Sequence, residues 1–309
     1  MESAVMMVAS RIASVLAFLS IQLAAQPSPQ TAPPPQTRTG IASDLLSDTR
    51  KAAEAGDARA QFNLGFSYYL GVPAKDYAEA ARWFRKSADQ GGVLAQQFLA
   101  LMYEEGRGVP QDLAEAARWY RKAADQGDAT AQFALGGMYA HGQGVAQDYA
   151  EAVRWYRKAA DQGGPLPQLN LGVMYAHGQG VAQDYAEAVR WYRKAADQGF
   201  DLAQHELGAM YALGQGVAQN YAEAARWFRK AADQGYVAAQ FRLGQLYFSG
   251  QGVPQDYVQA HMWVNLAAAH ANGDYQQMFA AARDEVAAKM DAAQIAEAQR
   301  LAREWKPTK

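Results

Sequence analysis

Cysteine is absent from this chain of 309 residues, and no charge of one sign dominates it. Without cysteine the protein has no disulfides, no lipid-bearing cysteine at its start, no thiolate metal ligands and no cysteine nucleophile. The 29 basic and 31 acidic side chains give a formal net charge of −2. Nucleic-acid binding needs a surplus of lysine and arginine to neutralise phosphates, so we predict no nucleic-acid partner.

Long apolar runs are scarce as well, and one short run lies near the start. Residues 12–25 (IASVLAFLSIQLAA) form a run of 14 residues, fewer than the roughly 20 that a helix needs to span a bilayer. Arg11 precedes it, and Gln26 and Pro27 follow. This order is typical of a secretory signal peptide. We therefore predict a signal peptide over residues 1–25, cleaved after Ala25, and a periplasmic or secreted protein. If the segment is kept uncleaved, it is the predicted membrane contact.

Proline is concentrated just after this segment. Residues 26–40 hold five of the eleven prolines. Such a stretch builds neither a helix nor a sheet ladder, because proline lacks the backbone N–H. We predict an extended, disordered linker here, which serves as a tether or as a plain spacer.

A period of 36 residues dominates the rest of the sequence. Tryptophan recurs at this spacing, and the segment DYAEAVRWYRKAADQG occurs verbatim at residues 148–163 and 184–199. Self-similarity at a period of 20 to 50 residues is typical of stacked repeats. One such unit has too little apolar surface to fold alone, so neighbouring units must bury each other.

Each repeat is predicted to be a pair of helices. The second helix begins with an N-cap aspartate and a glutamate three residues later, as at Asp148 and Glu151, and it ends at Gln-Gly, as at Gly163. A Gly-x-Gly-Val element, such as residues 142–145, forms the turn between the helices. We predict an all-α fold, an α-solenoid of six helix–turn–helix repeats over residues 56–270.

Broken columns at both ends of the array predict capping helices. Residues 41–55 end in RKAAEAG, which matches the end of a repeat, but Asp48 occupies the tryptophan column. After Trp263 the usual Arg-Lys pair becomes Asn265 and Leu266, so a solvated face has turned apolar and needs a cover. Residues 271–309 supply it, with helices near 275–289 and over 291–305, the latter capped by Asp291.

The segment ALGGMYAHGQGVAQDYAEAVRWYRKAADQG resembles the Sel-one-like repeat, a relative of the tetratricopeptide repeat, and the resemblance covers residues 56–270. It implies a right-handed superhelix of helix pairs and a role as an adaptor for assembling protein complexes. Secreted bacterial members are linked to envelope polymers, host contact or signalling. A cysteine-rich branch is associated with β-lactam binding or hydrolysis, from which this chain departs by having no cysteine.

Comparison of the six copies separates fixed columns from variable ones. On the first helix Ala131, Leu135 and Tyr139 belong to fixed columns that pack the repeats. The variable columns also have a helical period, and in such superhelices the first helices line the concave face. They are therefore our candidate groove for an extended protein or peptide partner; the alternative is neutral drift. The candidates are Asn63, Phe66, Leu101, Glu105, Gly137, His141, Asn170, Val173, His177, Glu206, Leu213, Arg242, Gln245 and Phe248.

Residues that could carry chemistry do not assemble into a known motif. His205 and Glu206 start a helical zinc motif, but Ala209 stands where the second histidine is required. Neither Ser-x-x-Lys nor Gly-x-Ser-x-Gly occurs. The repeated tryptophans are predicted to be core rather than a carbohydrate or cation cage. We predict no cofactor, no metal and no catalysis.

These observations favour a non-catalytic scaffold of the cell envelope or the secreted space. Two alternatives stay open. One is a β-lactam-binding protein or envelope hydrolase of the cysteine-rich type. The other is a structural subunit of an exopolysaccharide or cell-wall complex.

Overall fold

A computed structural model describes residues 46–72 and 74–308, and within these ranges the chain forms helices and no strand. The predicted all-α class is therefore confirmed. The predicted signal peptide (1–25), the predicted linker (26–40) and the first residues of the N-terminal capping segment (41–45) lie outside the described residues.

The chain divides into two compact units, of which one ends at Ala146 and the other begins at Gln147. The N-terminal unit contains α1 (46–54), α2 (Ala58–Leu70), α3 (Tyr77–Asp89), α4 (Val93–Glu105), α5 (Leu113–Asp125) and α6 (Ala129–His141). The C-terminal unit contains α7 (Tyr149–Asp161), α8 (Pro165–His177), α9 (Tyr185–Asp197), α10 (Asp201–Leu213), α11 (Tyr221–Asp233), α12 (Val237–Ser249), α13 (Tyr257–His270), α14 (Asp274–Ala287) and α15 (Ala292–Glu304). The first helices of the repeats are α2, α4, α6, α8, α10 and α12, and each is followed by its second helix.

The second helices start at the predicted caps. Asp112 accepts hydrogen bonds from the backbone N–H groups of Ala114 and Glu115, both at 3.0 Å. The carboxylate of Glu115 does not return to the cap but pairs with Arg118 at 2.6 Å. A reciprocal capping box forms at Asp291, whose partner is Gln294. The predicted caps are thus confirmed, while the repeated glutamates belong to i, i+3 ion pairs.

The Gly-x-Gly-Val turn connects the two helices of one repeat, and it also contacts the preceding repeat. Gly106 ends α4 in the left-handed conformation, with its N–H bonded to the Met102 carbonyl. Gly108 also has a positive φ (72°), and it lies directly against the backbone of Tyr77 in the preceding repeat. A Cβ at Gly108 would be 2.2 Å from the Tyr77 carbonyl oxygen, so only glycine fits there.

The tryptophan column is buried, as predicted for core packing. The six side chains are Trp83, Trp119, Trp155, Trp191, Trp227 and Trp263. In each of the first five repeats the lysine three residues later lies over the indole, with its ammonium 3.8–4.0 Å from the ring centroid. The tryptophans therefore fill the core, and each lysine covers one face of its indole ring.

Buried glutamines link the repeats in a way that the sequence analysis did not foresee. Gln204 of α10 donates to the carbonyl oxygen of Ala196 in the preceding repeat (3.2 Å) and accepts from Gln234 at the end of α11 (2.8 Å). The same glutamine pairs form at Gln61–Gln90, Gln96–Gln126 and Gln168–Gln198. In the sixth repeat His270 takes the second position of the pair, and among the described residues Gln240 Oε1 has no donor.

Helices pack on the first and on the last repeat. At the start Ala53 of α1 is buried with Ala60, Leu64 and Trp83. At the end Trp305 follows α15 and meets the Trp263 ring edge-on, with the centroids 6.1 Å apart. Leu301 and Ala302 of α15 also pack against the core cluster that contains Trp263 and Leu266.

Candidate partner-binding site

The fourteen candidate residues all lie on first helices, but their exposure differs. Six are exposed: Asn63, His141, His177, Leu213, Arg242 and Gln245. Seven are half-buried: Phe66, Leu101, Glu105, Asn170, Val173, Glu206 and Phe248. Gly137 is buried and offers no side chain. Their role in binding stays a prediction.

In the N-terminal unit the variable columns form an aromatic cluster. Phe66 lies 5.4 Å from Phe98 and 5.9 Å from Phe62, measured between ring centroids. Tyr69 extends the cluster, and its hydroxyl accepts a hydrogen bond from Arg107 at 3.2 Å. Burial raises the pKa of Tyr69, so the hydroxyl stays protonated. These rings pack against one another between their helices.

In the C-terminal unit four candidates come together around a cavity of about 560 Å³. Leu213 from α10 and Arg242, Gln245 and Phe248 from α12 line it. Leu213 is 65% exposed, and Arg242 and Gln245 are exposed as well, so these three side chains form an open rim. This is the strongest candidate site in the described part of the chain.

The floor of the cavity includes the position at which one repeat breaks the aromatic column that follows tryptophan. This column holds Phe84, Tyr120, Tyr156, Tyr192 and Phe228, but the sixth repeat has Val264. In the fifth repeat the Phe228 ring lies against Gly208 of the first helix, and a Cβ there would be 2.8 Å from it. Val264 faces Gly244 in the same way but is smaller, and both line the cavity. Val264 in this column is the feature of the sequence that could have indicated the cavity.

The outer wall is supplied by the C-terminal cap. Ala282, Glu285 and Val286 of α14 line the cavity, and Val286 is buried. The sequence predicts this helix as a cover for the last repeat. It gives no sign that the helix also faces the variable columns of α12, because α14 lies outside the repeat pattern.

The rim carries one charge of each sign. Arg242 donates a hydrogen bond to Gln245 Oε1 (3.2 Å) and has no acidic partner among the described residues. Glu285 on α14 likewise forms no ion pair in this part of the chain. The cavity thus combines an apolar interior with a cation and an anion at its entrance, an arrangement typical of specific ligand pockets.

The other candidates of the C-terminal unit do not line the cavity. Glu206 lies 3.2 Å from His205 Nδ1, and the His205 ring packs between Phe228 and Tyr236. Burial, and secondarily the charge of Glu206, raises the pKa of Tyr236 to about 12. Asn170, Val173 and His177 lie on α8, one repeat before α10.

The described residues contain neither a metal-binding cluster nor a bilayer-spanning helix. No group of three or more histidine, aspartate or glutamate side chains there is arranged to hold a metal ion. Within the same ranges, no helix combines the length and the apolar character needed to cross a bilayer.

Comparison with known proteins agrees with this architecture. The family model for the Sel1 repeat matches residues 58–92, 93–128, 129–164, 168–200, 201–236 and 237–272. The chain is similar to a protective antigen of uropathogenic Escherichia coli with an SLR fold, at 40% identity and a TM-score of 0.73, over 84% of this chain and 56% of the antigen. It is also similar to a Sel1 repeat protein of Oxalobacter formigenes, at 33% identity and a TM-score of 0.66, over 84% and 80% of the two chains.

A third similarity is local. An F-box protein of Arabidopsis thaliana is 47% identical over 60 residues, which are 19% of this chain and 17% of that protein. The chain thus spans little more than half the length of the Escherichia coli antigen and less than a fifth of the F-box protein.

Proposed function

The chain belongs to the Sel1 repeat family, and from this premise we propose that it is a non-catalytic scaffold that binds an extended segment of a partner protein in the cavity of its C-terminal unit. Sel1 repeats generally serve as protein-interaction scaffolds. One observation carries the proposal: the open cavity of about 560 Å³ bounded by Leu213, Arg242, Gln245 and Phe248.

The lining of the cavity supports a protein ligand. Binding energy at protein interfaces is concentrated where an apolar side chain enters a pocket that excludes water, while a polar rim surrounds it. Phe248 and Val264 supply the apolar surface, and Arg242 and Gln245 supply the rim. An extended segment places one side chain inward and its two neighbours outward, which suits this layout.

The proposed place of action is the periplasm or the outside of the cell. The apolar run at residues 12–25 and the proline-rich stretch behind it support export followed by display on a tether. Amino-terminal sequencing of protein recovered from the periplasm or the medium should then begin at Gln26. A chain that keeps Met1 and stays in the cytoplasm would refute this part of the proposal.

Substitution of Leu213 tests the binding proposal. Leu213→Asp puts a charge on the rim of the cavity, and the position is 65% exposed, so the fold should survive. We expect proteins that co-purify with the full-length chain from envelope fractions to be lost in this variant. The melting temperature should not change.

The matched control is Leu70→Asp. Leu70 occupies the same repeat column in the N-terminal unit, is 52% exposed and does not line the cavity. This variant should keep the co-purifying proteins. Equal retention by both variants, or equal loss, would contradict a binding site at the cavity.

A further inference from the structure

Going beyond a general scaffold role, we infer that the cavity recognises a peptide segment in which a bulky apolar residue lies between an acidic and a basic residue. The inference rests on the proposed function, since it specifies the ligand of the same site. The observation behind it is that two charged side chains on the rim of the cavity form no ion pair within the described residues.

The two charges stand on different walls. Arg242 belongs to α12, and Glu285 belongs to the capping helix α14. Both residues are exposed, both line the cavity, and in the described part of the chain neither takes part in an ion pair. A peptide lying across the entrance therefore meets a cation on one side and an anion on the other.

The interior between these walls is apolar. Phe248, Val264 and Val286 line it, and its volume of about 560 Å³ falls within the range of about 300–1,000 Å³ that is typical of ligand pockets. An aromatic or leucine side chain gains most by entering such a space, because its apolar area leaves water. Charged side chains would lose their hydration there and are expected to stay at the rim.

The signs of the two flanking residues should matter. A segment with one acidic and one basic flank can place each beside the opposite charge, whichever way its backbone crosses the entrance. A segment with two basic flanks places one of them beside Arg242. Exposed ion pairs are individually weak, so replacing one attractive contact by a repulsive one should change affinity about fivefold.

Matched synthetic peptides and calorimetric titration of the full-length protein test this inference. One peptide is acetyl-Gly-Glu-Phe-Lys-Gly-amide, the second carries two basic flanks as acetyl-Gly-Lys-Phe-Lys-Gly-amide, and a third replaces both charged residues by glutamine. We expect the first peptide to bind about fivefold more tightly than the second and the third. A fourth peptide with alanine in place of phenylalanine should not bind.

Charge reversal in the protein provides the decisive arm. The variant Arg242→Glu alters one exposed position and leaves two acidic groups at the entrance. It should reverse the preference, so that the peptide with two basic flanks binds more tightly than the peptide with one acidic and one basic flank. An unchanged preference, or equal binding of the charged and glutamine peptides, would overturn the charge recognition.

The two proposals can fail separately. If no peptide binds while Leu213→Asp still abolishes partner capture, the cavity remains the binding site and the inferred ligand chemistry is wrong. If Leu213→Asp has no effect on capture while the peptides bind as expected, the cavity recognises the inferred chemistry but the scaffold proposal is wrong.

Discussion

A single departure from a repeated column can change the surface that a repeat presents. The sixth repeat has Val264 where the other five have phenylalanine or tyrosine, and Val264 lines the floor of the candidate site. The tryptophan column shows the opposite case, since its burial follows from a regular apolar pattern and was predicted. A regular pattern predicts packing, whereas a departure from it marks a position that needs a separate explanation.

Residue His261 gives a prediction at this scale. It is 3% exposed on α13, and in the described part of the chain its Nδ1 has no hydrogen-bond partner. Burial lowers its pKa below the ordinary 6.5, and the charge of Arg283 on α14 lowers it further, while Asp284 opposes this. A histidine of this kind binds a proton more readily in the unfolded chain than in the folded one. The folded state therefore keeps its full stability above the unfolded pKa and loses stability as the pH falls below that value.

We therefore expect acidification below pH 6.5 to destabilise the protein, by at most about 1.4 kcal/mol per pH unit from this one group. Urea denaturation across this pH range should show a shallower dependence in His261→Gln than in the parent chain. His270→Gln, at an exposed position of the same helix, is the control and should keep the parental slope. Identical slopes in all three proteins would contradict a role for His261.

At the scale of helices and turns, most of the architecture follows from local sequence. The aspartate caps, the Gln-Gly ends and the Gly-x-Gly-Val turns predict where each helix begins and ends, because each satisfies backbone groups within a few residues. Their contacts with neighbouring repeats are different. The close approach of Gly108 to Tyr77 and the glutamine pairs depend on how hairpins stack, and the spacing of residues does not specify them.

A pair of glycine substitutions separates these two roles. Gly108 and Gly127 both have positive φ, of 72° and 95°. A Cβ at Gly127 would meet nothing within 4 Å, whereas at Gly108 it would be 2.2 Å from the Tyr77 carbonyl oxygen. Gly127→Ala should cost about 1–2 kcal/mol for the left-handed backbone alone.

Gly108→Ala should cost at least about 2 kcal/mol more, because two backbone segments must move apart. Urea denaturation of the two variants measures the difference. Equal losses of stability would show that the turn does not hold the repeats together.

For the whole molecule, the repeats could be predicted from the sequence, and the cavity could not. Six copies of one pattern specify a stack of hairpins, and the loss of solvated residues at Leu266 indicates that the last hairpin is covered. The cavity arises where α14 lies beside α12, and these helices share no periodicity. Nothing in a repeat pattern indicates how a segment outside the pattern docks.

Removal of the C-terminal cap tests its role in the whole protein. A chain that ends at His270 exposes Leu266 and Trp263, which α15 and Trp305 otherwise cover. We expect it to self-associate at micromolar concentration, as measured by size-exclusion chromatography with light scattering.

The same truncation with Leu266→Lys is the matched control, because the five preceding repeats carry lysine at this position over the tryptophan ring. This variant should associate less. A truncated chain that stays monomeric without the lysine would contradict the assignment of residues 271–309 as a cap.

The two identical second-helix segments have a consequence for the gene. Residues 148–163 and 184–199 share the same sequence and begin and end at the same points of their hairpins. Unequal crossing-over between the stretches that encode them would delete or duplicate 36 codons, which is one complete hairpin in frame. The protein can therefore change its length in whole steps while the helices around the cavity of the C-terminal unit keep their sequence.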